Sequence, residues 1–170
     1  ATHPGMDGGY DGATHHANED LALMRALPNL KILVPSNPDE LKEAVEIAVR
    51  HQGPVYIRCV RDSVPKLPAK EKAQMGRAMV VEDEGDEFAL IYEGSAADLA
   101  FKSFAACREA GRKGKLINIF SVKPADSELI RRVAGTVGRI VTIENHSVIG
   151  GLGGLVAETV CDMPNHAPVL

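Results

Sequence analysis

Three imidazoles and two carboxylates crowd into the first sixteen residues: His3, Asp7, Asp11, His15 and His16. Gly5, Gly8, Gly9 and Gly12 run between them, so the segment can fold back sharply and bring these side chains together. An imidazole passes a proton near neutral pH, and a carboxylate accepts hydrogen bonds from hydroxyls. Downstream, Arg61 follows the β-branched run at residues 55–60, and a guanidinium fork beside imidazole or backbone donors suits a phosphate. The cluster is therefore compatible with proton transfer and polar ligand recognition, with a metal site, or with a solvated loop. His and Asp ligate first-row ions, but neither HxxxH nor HxH spacing fixes two imidazoles here, so no metal ligand is assigned.

Such a loop must be held by something. An Asn and two carboxylates at residues 18–20 start a helix over residues 18–26, which Pro28 ends. Residues 31–35 (KILVP) read as a buried strand. Asn37, Pro38 and Glu40 then form a helix start, with Leu41, Ala44, Val45, Ala48 and Val49 as one apolar face. Gly53 and Pro54 stop that helix before the strand at residues 55–60. Residues 65–76, rich in Pro and Lys, describe a linker. A second unit follows, with strands at 88–92, 116–120 and 139–143, helices at 97–110 and 127–134, a helix within 150–160 and a last strand at 168–170. Strands alternating with helices imply an α/β fold: two units, residues 1–64 and 77–170, each with a mainly parallel sheet.

The 170 residues carry a net charge of −4 and are 45% hydrophobic, as in a soluble globular protein. No excess of Lys and Arg is present to neutralise a phosphate backbone, which argues against general nucleic-acid binding. The longest run without charged residues, 145–157, is shorter than the roughly 18–20 apolar residues a spanning helix needs and is broken by glycines, so no membrane partner is expected. Cys59, Cys107 and Cys161 are odd in number and widely spaced, which reads as reduced core thiols in a cytoplasmic protein. Gly150 to Gly154 lacks the Lys-Ser/Thr of a P-loop and the GxGxxG of a dinucleotide site, so close helix packing is the expectation there.

The stretch from Thr2-His3 through Asp11-Gly12-Ala13-Thr14-His15, followed by Arg25-Ala26-Leu27-Pro28-Asn29-Leu30, resembles the pyrimidine-binding domain of transketolases. The second unit is similar to the transketolase C-terminal domain at Lys123-Pro124 and at Glu144-Asn145-His146 through Gly154. Ala13 stands where the family usually has Pro and His16 where many full-length members have Gln, as in the split forms. The resemblance implies that Asp11 bonds a hydroxyl of a sugar donor and that His15 contacts the donor near the reactive carbon, as the catalytic residue. It likewise implies that His3 and Arg61 hold the substrate phosphate.

The resemblance also implies thiamine diphosphate and a divalent cation (Mg or Ca), held mainly by parts beyond these 170 residues. The expected protein is thus the C-terminal portion of a transketolase, moving a two-carbon ketol unit between phosphorylated sugars in the pentose phosphate pathway. It would need an N-terminal section or subunit as partner and would form a homo-oligomer such as a dimer. Two other readings stay open: a related thiamine-dependent enzyme (deoxyxylulose-phosphate synthase or a 2-oxo acid dehydrogenase beta subunit), and a non-catalytic assembly module. Arg61 paired with Asp62 on the surface, Arg25 capping its own helix, Glu19 serving that helix's N-terminus and His146 in a structural or subunit contact are the bland assignments.

Overall fold

The computed structural model describes residues 4–7, 9–61, 64 and 71–170. Along the chain come α1 (Asp20–Ala26), β1 (Lys31–Leu33), α2 (Pro38–Arg50), β2 (Val55–Ile57), β3 (Met79–Asp83) and β4 (Phe88–Tyr92). They are followed by α3 (Ala97–Glu109), β5 (Gly114–Asn118), β6 (Ser121–Lys123), α4 (Ser127–Ala134), β7 (Ile140–Ile143) and α5 (Leu152–Val160). Two single-turn 3-10 segments, Gly9–Asp11 and Ala13–His15, lie in the glycine-rich loop, and a third, Gly94–Ala96, leads into α3.

The strands form two sheets, in the orders β2-β1-β6 and β3-β5-β4-β7. The pairs β1–β2, β4–β5 and β4–β7 are parallel, as alternating strands and helices require. Two antiparallel edges complete the sheets: β3 on β5, and β6 on β1, with Leu33 opposite Ser121. Neither β3 nor β6 is legible as a strand in the sequence, and β6 carries the second unit into the first unit's sheet. The expected strand at residues 168–170 is reduced to a bridge between Val169 and Ile140, flanked by backbone hydrogen bonds.

One apolar cluster joins both units, with Leu21, Ile32 and Val34 packed among Ile117, Ile119, Val122, Leu152 and Val156. Burial of that shared surface is the main force holding the units together. The apolar face read along α2 divides differently: Ala44 is buried, whereas Leu41, Val45 and Val49 face solvent in the described chain. The cysteines also differ from expectation. None is in a disulfide; Cys59 and Cys161 are exposed and Cys107 is half-buried, so they are free thiols but not core residues.

The start of α2 forms as its residues dictate. The Asn37 side chain accepts from the amides of Asp39 and Glu40, both at 3.0 Å, and Pro38 occupies the first turn. Glu40 turns back to accept from the Ser36 amide at 2.8 Å and the Ser36 hydroxyl at 2.9 Å. Asn118 of β5 donates to the same carboxylate at 2.9 Å, adding a polar tie between the units.

Candidate active site

The glycine-rich loop is pinned at its base, where the Gly5 amide donates to the Ala17 carbonyl at 2.8 Å. Inside that closure neither 3-10 turn contains a buried residue, so packing does little to fix its shape. Polar contacts do the work instead. Arg61, just beyond β2, forms an ion pair with Asp11, and its guanidinium lies over the Tyr10 ring, 5.1 Å from the centroid. His15 is exposed one turn further along, with Nδ1 3.1 Å from the Thr14 hydroxyl.

Asp11, His15 and Arg61 are therefore on one loop or tied to it, and Arg61 is paired with Asp11. His3 and Asp62 lie outside the described residues. Arg61 is 39% exposed and Asp11 22%, so both remain within reach of a ligand. The arrangement presents a guanidinium, a carboxylate and an imidazole on a solvent-facing wall, groups whose chemistry suits an anionic, hydroxyl-bearing ligand and proton exchange.

Behind this wall lies a buried charge network. Arg58 is 1% exposed, and it donates to Asp20 from Nε at 2.8 Å and Nη2 at 3.0 Å. Its Nη1 reaches both oxygens of Glu93 at 3.3 Å, and Nη2 also donates to the Asn145 carbonyl at 2.8 Å. Tyr56 adds a hydroxyl on Asp20 at 2.8 Å. Burial works against the guanidinium charge, but Glu93 and Asp20 outweigh it and hold the Arg58 pKa above its ordinary value. Burial pushes the Glu93 carboxyl up, against the pull of Arg58. A charge inside the β-branched run at residues 55–60 was the one available signal, because a fully buried arginine must find carboxylates.

The second unit also caps α1 at both ends. The helix has no side-chain cap of its own: Asn18 is not the N-cap, and exposed Glu19 occupies that position without capping. Instead His146 Nε2 accepts from the Leu21 amide at 3.1 Å and the Ala22 amide at 3.4 Å, so the hydrogen sits on Nδ1, which donates to the Ser147 carbonyl at 2.6 Å. At the other end Lys123 donates to the Arg25 and Leu27 carbonyls, at 2.9 and 2.6 Å. Arg25 does not cap its own helix; it bonds the Gly150 carbonyl at 2.7 Å and pairs with Glu158 of α5.

The glycine run at 150–154 is a packing and capping feature. A Cβ on Gly150, whose φ is +74°, would lie 2.6 Å from the Ala22 Cβ of α1. Glu144 already occupies the N-terminus of α5, accepting from the Leu152 amide at 2.6 Å and the Gly153 amide at 2.9 Å. Among the described residues no group of three or more His, Cys, Asp or Glu side chains could hold a metal ion. No described helix is long and apolar enough to cross a membrane.

Residues 1–66 match the transketolase pyrimidine-binding domain, and residues 76–169 match the transketolase C-terminal domain. An apulose-4-phosphate transketolase subunit from Phocaeicola vulgatus is 34% identical over 162 residues, which is 94% of this chain and 52% of that protein. The 1-deoxy-D-xylulose-5-phosphate synthase of Chlorobium luteolum is 35% identical over 166 residues, 95% of this chain and 26% of that protein. A solved split-gene transketolase, an inactive beta4 tetramer, superposes with a TM-score of 0.89 at 37% identity, covering 100% of this chain and 55% of that one. The chain thus spans about half, or less, of the length of these relatives. With both domains matched in order along nearly every residue, the chain belongs to the transketolase family.

Proposed function

We propose that this chain is the C-terminal section of a thiamine-diphosphate-dependent transketolase that works with an N-terminal section, moving a two-carbon ketol unit from a phosphorylated ketose to an aldose. The observation that carries this reading is the Asp11–Arg61 pair beside Tyr10, on the loop that also exposes His15. Arg61 receives the substrate phosphate, with His3 as its helper, and Asp11 accepts from a sugar hydroxyl. His15 donates or accepts the proton that accompanies cleavage and formation of the carbon–carbon bond.

In this proposal thiamine diphosphate and its divalent cation are held mainly by parts of the enzyme beyond these 170 residues, and this chain contributes the wall that binds and orients the sugar. One relative is a transketolase subunit and another a split-gene transketolase tetramer, which supports a two-chain, oligomeric enzyme.

The deciding experiment assembles the chain with its N-terminal section and measures ketol transfer from phosphorylated ketoses. His15→Ala should lower turnover by about 10²- to 10⁴-fold, the usual contribution of a positioned acid–base group. Unchanged turnover in that variant would remove the assignment. The synthase relative supports a second reading, and pyruvate consumption without ketose cleavage would establish that one instead.

A further inference from the structure

We propose that Asn145, at the end of β7, is a positioning residue for the substrate loop, so that the second unit sets the geometry of the site on the first. The inference rests on reading the glycine-rich loop as the substrate wall.

Three consecutive residues of the second unit hold that loop at both of its ends. The Asn145 side-chain Oδ1 accepts from the Met6 amide at 3.0 Å, just inside the loop's first closure. The Ser147 amide donates to the Asn18 carbonyl at 2.8 Å, just beyond the second. Between them His146 accepts from the first amides of α1. The loop from Gly5 to Ala17 is thus a ring closed on itself and fastened to the Asn145-His146-Ser147 segment.

Asn145 is itself held on every side. Nδ2 donates to the Ser95 hydroxyl at 3.1 Å, its backbone amide donates to Glu93 at 3.2 Å, and its carbonyl accepts from Arg58 at 2.8 Å. The carboxamide that meets Met6 is therefore fixed by Ser95, and the backbone of the same residue is anchored to the buried Arg58 network. Contact with the loop is also close. A Cβ on Gly5, whose φ is +66°, would overlap the Asn145 carboxamide, so a residue free to take left-handed backbone and lacking a side chain is required there. A loop whose two 3-10 turns contain no buried residue takes its shape from such fixed points, and a substrate wall must be held within a fraction of an ångström to orient a sugar.

The test uses Asn145→Ala, which deletes the acceptor, and Asn145→Asp, which keeps an oxygen in place of Oδ1 while the Ser95 hydroxyl turns to donate. Both leave the backbone bonds of residue 145 to Glu93 and Arg58 intact. The expected result is Met6 amide exchange about tenfold faster in the Ala variant of the full chain, with the Asp variant near wild type. In the enzyme assembled with its N-terminal section, KM for a phosphorylated ketose should rise about tenfold in the Ala variant and recover in the Asp variant.

Unchanged Met6 exchange in Asn145→Ala overturns the proposal, as does faster exchange with unaltered ketose KM and turnover in an enzyme that His15→Ala disables. If His15→Ala keeps full turnover, the substrate reading fails and the positioning role fails with it. The Met6 exchange rate then tells that failure apart from a missing clamp.

Discussion

Arg58 grips Asp20 through two nitrogens, at 2.8 and 3.0 Å, and so ties the strand end beyond β2 to the first turn of α1. Both side chains are buried, at 1% and 5% exposure. Three further acceptors, the two Glu93 oxygens and the Asn145 carbonyl, come from the second unit. Breaking a buried pair by removing one partner is strongly destabilising, because the other charge is left without compensation. Arg58→Ala should therefore cost about 3–5 kcal/mol of unfolding free energy in a urea titration of the full chain. Arg58→Lys should recover little, since an ammonium cannot span Asp20, Glu93 and Asn145 with a planar fork. A loss under about 1 kcal/mol would mean that the network is incidental to the contact between the units.

Glu40 allows a pH test with a definite sign. Burial pushes its carboxyl above the ordinary 4.5, against the pull of hydrogen bonds from Ser36, Asn118 and Asn37. The folded chain thus keeps this proton to higher pH than the unfolded chain does. The resulting stabilisation is fully present below 4.5 and is lost as pH rises from there through the raised folded value. Glu40→Gln abolishes the titration, so its unfolding free energy should fall less steeply with pH over that window. The check is urea unfolding of both proteins from about pH 4 to 8, and parallel slopes would refute the raised carboxyl.

The helices and inner strands were legible because their signals are local. Asn37, Pro38 and Glu40 form the start of α2 through their own side chains, and residues 127–134 form α4 as read. What the sequence hid is what crosses between the units. The strand β6 is three residues long and pairs with β1 about ninety positions earlier, and α1 is capped by His146 and Lys123 rather than by its own residues. No periodicity encodes such partners. The loop residues Asp11 and His15 stood out by type, and Arg61 by its place after a strand, but the Asp11–Arg61 pairing and the Asn145 clamp arise only when the chain folds.

Arg58 and Arg61 lie three residues apart and should separate stability from binding. Arg58 is sealed between two carboxylates, whereas Arg61 is 39% exposed, paired with Asp11 among the described residues and stacked on a tyrosine that is itself 75% exposed. An exposed ion pair contributes about 0–1 kcal/mol, so Arg61→Ala should shift the unfolding midpoint little. The same change removes the guanidinium proposed to meet the substrate phosphate. In the assembled enzyme it should raise KM for a phosphorylated ketose by about one to two orders of magnitude, as expected for a lost charge-assisted contact. Arg61→Lys should fall between, because it keeps the charge but loses the fork and the stacking on Tyr10. Steady-state kinetics on phosphorylated and unphosphorylated ketoses would read the effect directly. A penalty of equal size on both donors would show that Arg61 shapes the loop through Asp11 without touching phosphate.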